Sequence, residues 1–170
     1  MKRLWQILAQ DIRILYNPKS SFEELSGKTL ENVVQNYVLT LLMASAFAAA
    51  ASFIYWNAET IYLGTIGAEI NMGNAINYAA AKSASIMLFY IFTGTIPAIA
   101  AAYIINLIQK KLKFTELLKV MMYSLTPFIL FGWLLLNPIT AGVWSMLLLI
   151  MGVKNYKQAA ISANSIKQRY

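Results

Sequence analysis

Long stretches without a single charge limit this chain more than any other feature. Residues 36–56, 84–108, 120–136 and 139–153 contain no Asp, Glu, Lys, Arg or His. A helix rises about 1.5 Å per residue, so roughly 20 apolar residues cross the ~30 Å of a bilayer's hydrocarbon. The first run closes with Tyr55 and Trp56, whose rings suit a headgroup boundary. The second contains Pro97, expected to kink a span that neighbouring helices tolerate. The third contains Pro127, and the fourth follows the Asn137-Pro138 turn. At about 22 Å the fourth is short, so it thins the bilayer, draws in flanking residues, or joins the third in a re-entrant hairpin. A soluble fold is a poor alternative. The chain is 59% apolar and 12% charged over 170 residues, against roughly 45–50% and roughly 25% in soluble domains. A globule of this size would leave large greasy patches in water.

The expected architecture is therefore all-α, a polytopic four-span bundle over 36–153, preceded by an amphipathic segment 1–35 and followed by a basic tail 154–170. Charge sets the direction. Short cytoplasmic loops are enriched in Lys and Arg. With both ends in the cytoplasm, 13 of the 14 basic residues fall on that side, and only Lys82 lies outside with Glu59 and Glu69. A fifth span over 61–81 would export the Lys110 cluster and is broken by Gly64, Gly67, Glu69, Asn71, Gly73 and Asn74. The stretch from Asn57 to about Lys82 therefore reads as an external loop.

The first 16 residues do not read as a signal peptide, because Gln10, Asp11 and Arg13 interrupt any apolar core. At 100° per residue, Leu4, Trp5, Leu8, Ile12, Leu15 and Tyr16 share one face, with Lys2, Arg3, Gln6, Gln10 and Arg13 opposite. Such a helix either lies in the headgroup plane near anionic lipid or packs on the ends of the spans. Asn17-Pro18 ends it, and the Ser21/Glu24 pair has capping-box spacing for the next helix. In the tail, Tyr156, Ala160, Ala163 and Ile166 form a weak stripe, expected to be a fraying helix.

Chemistry-bearing residues are scarce. With no Cys and no His, the chain lacks disulfides, thiolate or imidazole metal ligands and the commonest general base. Neither cofactor, metal nor catalytic residue is expected. Transporters and intramembrane enzymes usually carry an ionisable group inside a span, and these runs have none. Ser and Thr in spans more often bond a helix carbonyl or a neighbouring helix. A polar path through Tyr90, Thr93, Thr95, Asn106 and Ser124 is the rival reading, a small transporter or channel subunit. A lipid-active enzyme ranks third. Small residues recur at Ala44, Ala48 and Ser52 and at Gly94, Ala98 and Ala102, which permits close helix contact. An intramolecular pairing of spans one and two is favoured over a homodimer seam. Lys110, Lys111 and Lys113 suit lipid phosphates, and no aromatic platform accompanies them for nucleic acid.

Tyr123-Ser124-Leu125-Thr126-Pro127-Phe128, followed by Trp144, Leu147 to Leu149, Gly152 and a cationic tail, resembles the Yip family of multi-span proteins named for binding Ypt/Rab GTPases. Asn17-Pro18 with Ser21-Phe22-Glu23-Glu24-Leu25 is similar to the Pro-x-x-x-Phe entry of prokaryotic members, which makes Pro18 and Phe22 motif positions beside Tyr123, Ser124 and Pro127. The resemblance implies a non-enzymatic integral membrane protein, linked in eukaryotes to vesicle traffic and membrane shape. A scaffold or partner-binding role in a prokaryotic cell membrane follows, its partner another membrane protein or a second copy. Pro127 should bend span three and free carbonyls that Ser124 or a neighbouring helix satisfies. Pro127→Ala is then expected to alter assembly and thermal stability in detergent, and an unchanged melting profile would defeat that reading.

Overall fold

The computed structural model describes residues 2–69, 71–109, 112–132 and 138–167, with backbone alone described at 2–5, 8, 109, 138 and 157–167. Seven helices make up the described fold: α1 (Lys2–Tyr16), α2 (Pro18–Ser26), α3 (Leu30–Thr65), α4 (Met72–Gln109), α5 (Phe114–Ser124), α6 (Thr126–Phe131) and α7 (Pro138–Lys167). No strand occurs among the described residues. Four stretches are long and apolar enough to cross a membrane: Leu30–Thr65, Met72–Ile108, Phe114–Phe131 and Ile139–Tyr156. Phe47, Phe92, Ile108 and Ile150 stand open on their outer faces, where only lipid tails match their chemistry.

The helices outrun the uncharged stretches. α3 has 36 residues and α4 has 38, so each exceeds 50 Å by about 1.5 Å per residue, well beyond the hydrocarbon thickness. The expected external loop from Asn57 to Lys82 is thus mostly helix, with α3 running to Thr65 and α4 starting at Met72. Gly67 adopts φ 88° there, a conformation that side chains with a Cβ avoid. The amide of Ala68 reaches back to the Leu63 carbonyl at 3.2 Å, which closes α3. Asn71 then caps α4 by accepting the Asn74 amide at 3.2 Å. Polar residues in this stretch misled the loop reading, because Asn and Glu tolerate helix when a partner helix lies alongside. Trp56 and Tyr78 meet edge to face at 5.4 Å across the hairpin, with the Lys82 ammonium over both rings.

One further expectation changes. α2 begins at Pro18, which occupies a first-turn position with no amide to satisfy. Ser21 is therefore inside the helix, its hydroxyl donating to the Asn17 carbonyl at 3.0 Å, and it caps nothing. In the tail, residues 154–167 are helical as expected and continue α7, which starts at Pro138. The short fourth run is lengthened by its flanks to reach Tyr156.

α3 and α4 form the most extensive pairing, and α5 lies against both. α7 packs on α5, α6 and α2. Ala44, Ala48, Ala98 and Ala102 are buried. A Cβ on Gly94 would come within 2.6 Å of Leu41 Cδ1, so α4 approaches α3 closely at that point. Pro97, three residues on, denies α4 one amide, and the Tyr37 hydroxyl of α3 donates to the Gly94 carbonyl. α4 nonetheless stays one helix through Pro97.

A second close approach locks α2 down. Phe22 is wholly buried, and a Cβ on Gly152 would lie 2.7 Å from both its ring and Val120 Cγ1. Replacing Gly152 with Val should lower unfolding stability in detergent by about 1–3 kcal/mol through overpacking. Gly142→Ala, where nothing lies within 4 Å, should be neutral or slightly stabilising. Thermal denaturation of the two variants side by side checks this.

Candidate functional site

Polar side chains gather at one end of the bundle, where α1 and α2 cover α3, α5 and α6. Amphipathicity places α1 there, but by a different face from the one expected. Ile7, Asp11 and Ile14 are buried against the bundle and Leu15 is half-buried, whereas Ile12 and Tyr16 are exposed. Leu4, Trp5 and Leu8 have side chains outside the described residues. At 100° per residue the packed stripe and the open apolar flank are about 150° apart. One helix therefore has room for both a protein face and a lipid face.

Asp11 sits in the packed stripe at 8% exposure. Thr40 Oγ1 of α3 donates to its Oδ2 at 2.5 Å and also lies 3.0 Å from the Asn36 carbonyl. Burial pushes the Asp11 carboxyl up from 3.8 to about 6, while the Thr40 bond and the positive charge of Lys28 pull the other way. Beside it, the Tyr123 hydroxyl accepts from Gln10 Nε2 of α1 and, at 3.3 Å, from Lys28 Nζ. Lys28 also sits 5.8 Å from the Tyr123 ring centroid and 3.3 Å from Glu24 Oε1. Arg13 reaches Glu24 Oε2 at 3.2 Å and Ser20 Oγ at 2.9 Å. These outer pairs are solvent-exposed and contribute under about 1 kcal/mol each.

Lys119 is the second anchor. At 8% exposure it donates to the Lys28 carbonyl at 2.6 Å and to the Tyr156 hydroxyl at 3.3 Å, with its ammonium 5.7 Å from the Tyr156 ring. It ties the α2–α3 turn to α5 and α7. On the sequence it reads as a margin cation of span three. The structure places it inside the helix that opens that span, so Phe114–Phe131 carries Glu116 and Lys119 where the uncharged run started at Val120.

Pro127 and Ser124 mark a real break, for α5 ends at Ser124 and α6 begins at Thr126. Ser124 Oγ donates to the Val120 carbonyl within its own helix at 2.8 Å, and so does not serve the carbonyls that Pro127 frees. The neighbouring α7 meets an amide rather than a freed carbonyl: Ser145 Oγ accepts the Phe128 amide at 3.3 Å. Pro18 opens α2, and Phe22 lies against Gly152 of α7 and beside Val120 of α5. A family model of the Yip1 domain matches residues 12–163, which covers α2 through α6 and most of α7.

The protein belongs to the Yip1 family. Neither the comparison with curated proteins nor that with solved structures yields a match. Within this Yip1 domain, Thr93 and Thr95 donate to the carbonyls of Phe89 and Ile91 at 2.7 Å, as Ser and Thr in spans commonly do. Tyr90 is buried and Asn106 half-buried. Ser52 Oγ and Glu59 Oε2 are buried with no partner among the described residues. Lys113 is exposed at the start of α5, where its amide donates to Glu116 Oε2 at 2.9 Å. Lys110 and Lys111 fall outside the described residues. No group of three or more His, Cys, Asp or Glu able to hold a metal occurs among those described.

Sequence reasoning missed Asp11, Thr40, Lys119 and Ser145 as members of this seam. One signal was present: Asp11 lies between Ile7 and Ile14 at helical spacing, an acid on an otherwise apolar arc. Lys119→Met should lower stability in detergent by about 1–3 kcal/mol, since the buried Lys28 carbonyl loses a charge-assisted bond. Arg13→Ala should cost under about 1 kcal/mol by the same measurement.

Proposed function

We propose that this Yip1-family protein is a non-enzymatic membrane scaffold. It presents the α1–α2 cap to a partner at the cytoplasmic face of a prokaryotic cell membrane, with both termini on that side. The partner is another membrane protein or a second copy of the chain. The observation that carries this reading is the clasp of Lys119 on the Lys28 carbonyl and Tyr156, reinforced by Phe22 against Gly152. The clasp fixes the cap to the membrane-spanning helices, and its outer surface exposes Gln6, Arg13, Lys19 and Glu23. A surface held in one orientation binds a partner without an ordering penalty. The open Ile12 and Tyr16 flank of α1 rests in the headgroup layer, and Lys110, Lys111 and Lys113 meet anionic lipid there. The bonding of the Thr93, Thr95 and Ser124 hydroxyls to their own helices supports a packed bundle over a polar conduit.

Photo-crosslinkers placed at Lys19 and Glu23 in native membranes should give protein adducts, while those at Phe92 and Ile150 should give lipid adducts. Reporters fused to the two termini should read the same compartment. Solute flux in proteoliposomes that disappears when Thr93 and Asn106 become Ala would overturn the scaffold reading in favour of a transporter.

A further inference from the structure

Asp11 has chemistry that the scaffold reading does not use. It is the only aspartate in the chain, it is buried, and among the described residues it makes no ion pair. The cavity beside it, walled by Tyr37, Thr40, Met122, Tyr123 and Ile129, amounts to about 10 Å³, room for one water at most. That space is too small for a hydrated cation, and the 2.5 Å contact to Thr40 leaves no room for a bare ion between the two oxygens.

The Thr40 hydroxyl has one proton but two close oxygens, Asp11 Oδ2 at 2.5 Å and the Asn36 carbonyl at 3.0 Å. With an ionised Asp11 only one of these contacts is a hydrogen bond. With a protonated Asp11 both are: the acid donates to Thr40 Oγ1, and Thr40 donates to the Asn36 carbonyl. The protonated form therefore makes one more hydrogen bond at Thr40 than the ionised form, in a place where burial already disfavours the charge.

We propose that Asp11 is a proton-binding site that latches α1 onto the bundle, so that proton uptake fastens the helix and proton loss loosens it. The groups that face Asp11 do not supply a competing counter-charge at contact. α3 presents Tyr37, α5 presents Tyr123, and α6 presents Thr126, none of them a cation. Lys28 at the α2–α3 turn is engaged by Glu24 and Tyr123, and Arg13, on α1 itself, is held by Glu24 and Ser20.

The sign follows from linkage. Undocked, Asp11 is in water and titrates near its ordinary 3.8; docked, it titrates near 6. Docking is at its strongest below about 4 and weakens as pH rises towards 6, because only the undocked form releases its proton in that window. The docking equilibrium should fall by about a hundred-fold across it, tenfold for each pH unit that separates the two titration midpoints.

The chain has no cysteine, so spin labels at Gln6→Cys on α1 and Glu31→Cys on α3 report the distance between them without background. In nanodiscs, the docked distance should dominate at pH 4.5, and a longer one should gain about 25-fold in relative population by pH 7.5, since part of the total change already lies below pH 4.5. Asp11→Asn should hold the docked distance at every pH. Equal pH responses in the parent and in Asp11→Asn would overturn the latch. So would a response to sodium against choline at fixed pH that Asp11→Asn abolishes, since that would assign the carboxylate to a metal ion. A measurement on the unmutated side chain guards against misfolded variants. Aspartate labelled with ¹³C gives one carboxyl resonance, whose midpoint should lie near 6; a midpoint near 3.8 would defeat the proposal. Neither readout depends on what the cap binds, so the latch and the scaffold reading fail separately.

Discussion

Lipid tails offer a backbone no hydrogen-bonding partner, and the rest of this structure follows from that. Every amide and carbonyl at membrane depth must be satisfied by the chain itself, which leaves helices as the form these apolar runs take. The same demand governs the side chains. Thr40, Ser45, Ser83, Thr93, Thr95 and Ser124 all turn their hydroxyls onto a carbonyl three or four residues earlier. Polar groups that need more than one partner are displaced towards the ends of the spans. There they assemble into the seam around Asp11, Tyr123, Lys28 and Lys119.

Prolines are the exceptions that organise the interior. Each removes an amide and disturbs the turn before it, so a neighbour is recruited. Tyr37 serves the turn before Pro97 by bonding the Gly94 carbonyl, at the place where Gly94 lets Leu41 come close. Ser145 serves the turn after Pro127 by accepting the Phe128 amide. In both cases a side chain from an adjoining span bonds the backbone within a turn of the proline, though not the carbonyl whose amide partner the proline removed. The α3–α4 pair and the α6–α7 pair are thereby specified by hydrogen bonds as well as by shape. Without a hydrophobic drive between helices in lipid, such contacts weigh more than they would in a soluble bundle.

The cap resolves two pictures of α1 that amino-acid periodicity alone left open. Its packed stripe of Ile7, Asp11 and Ile14 and its open flank of Ile12 and Tyr16 point in different directions around one helix. Helical periodicity averages over the two, so it centres on the broader apolar face and overlooks the narrower one containing an acid. The buried Asp11 and Lys119 have the same origin. On the chain each is an ordinary charge beside an apolar run, and only the arrival of α3 or of α7 removes it from water.

Charge-free runs in the sequence were enough for the helical class and the number of apolar stretches able to span, and the pattern along residues 12–163 was enough for the family. Those are local properties, set by how many apolar residues follow one another and by where rigid or motif residues fall. Tertiary structure alone decided that α3 and α4 continue past residues 57 and 82, that α2 starts at Pro18, and that α7 absorbs the tail. It also decided which hydroxyls bond the backbone beside the prolines and which acid lies at the seam. Those outcomes depend on residues distant along the chain, as with Asp11 and Thr40 or Lys119 and Tyr156, and burial is a property of the neighbours that arrive.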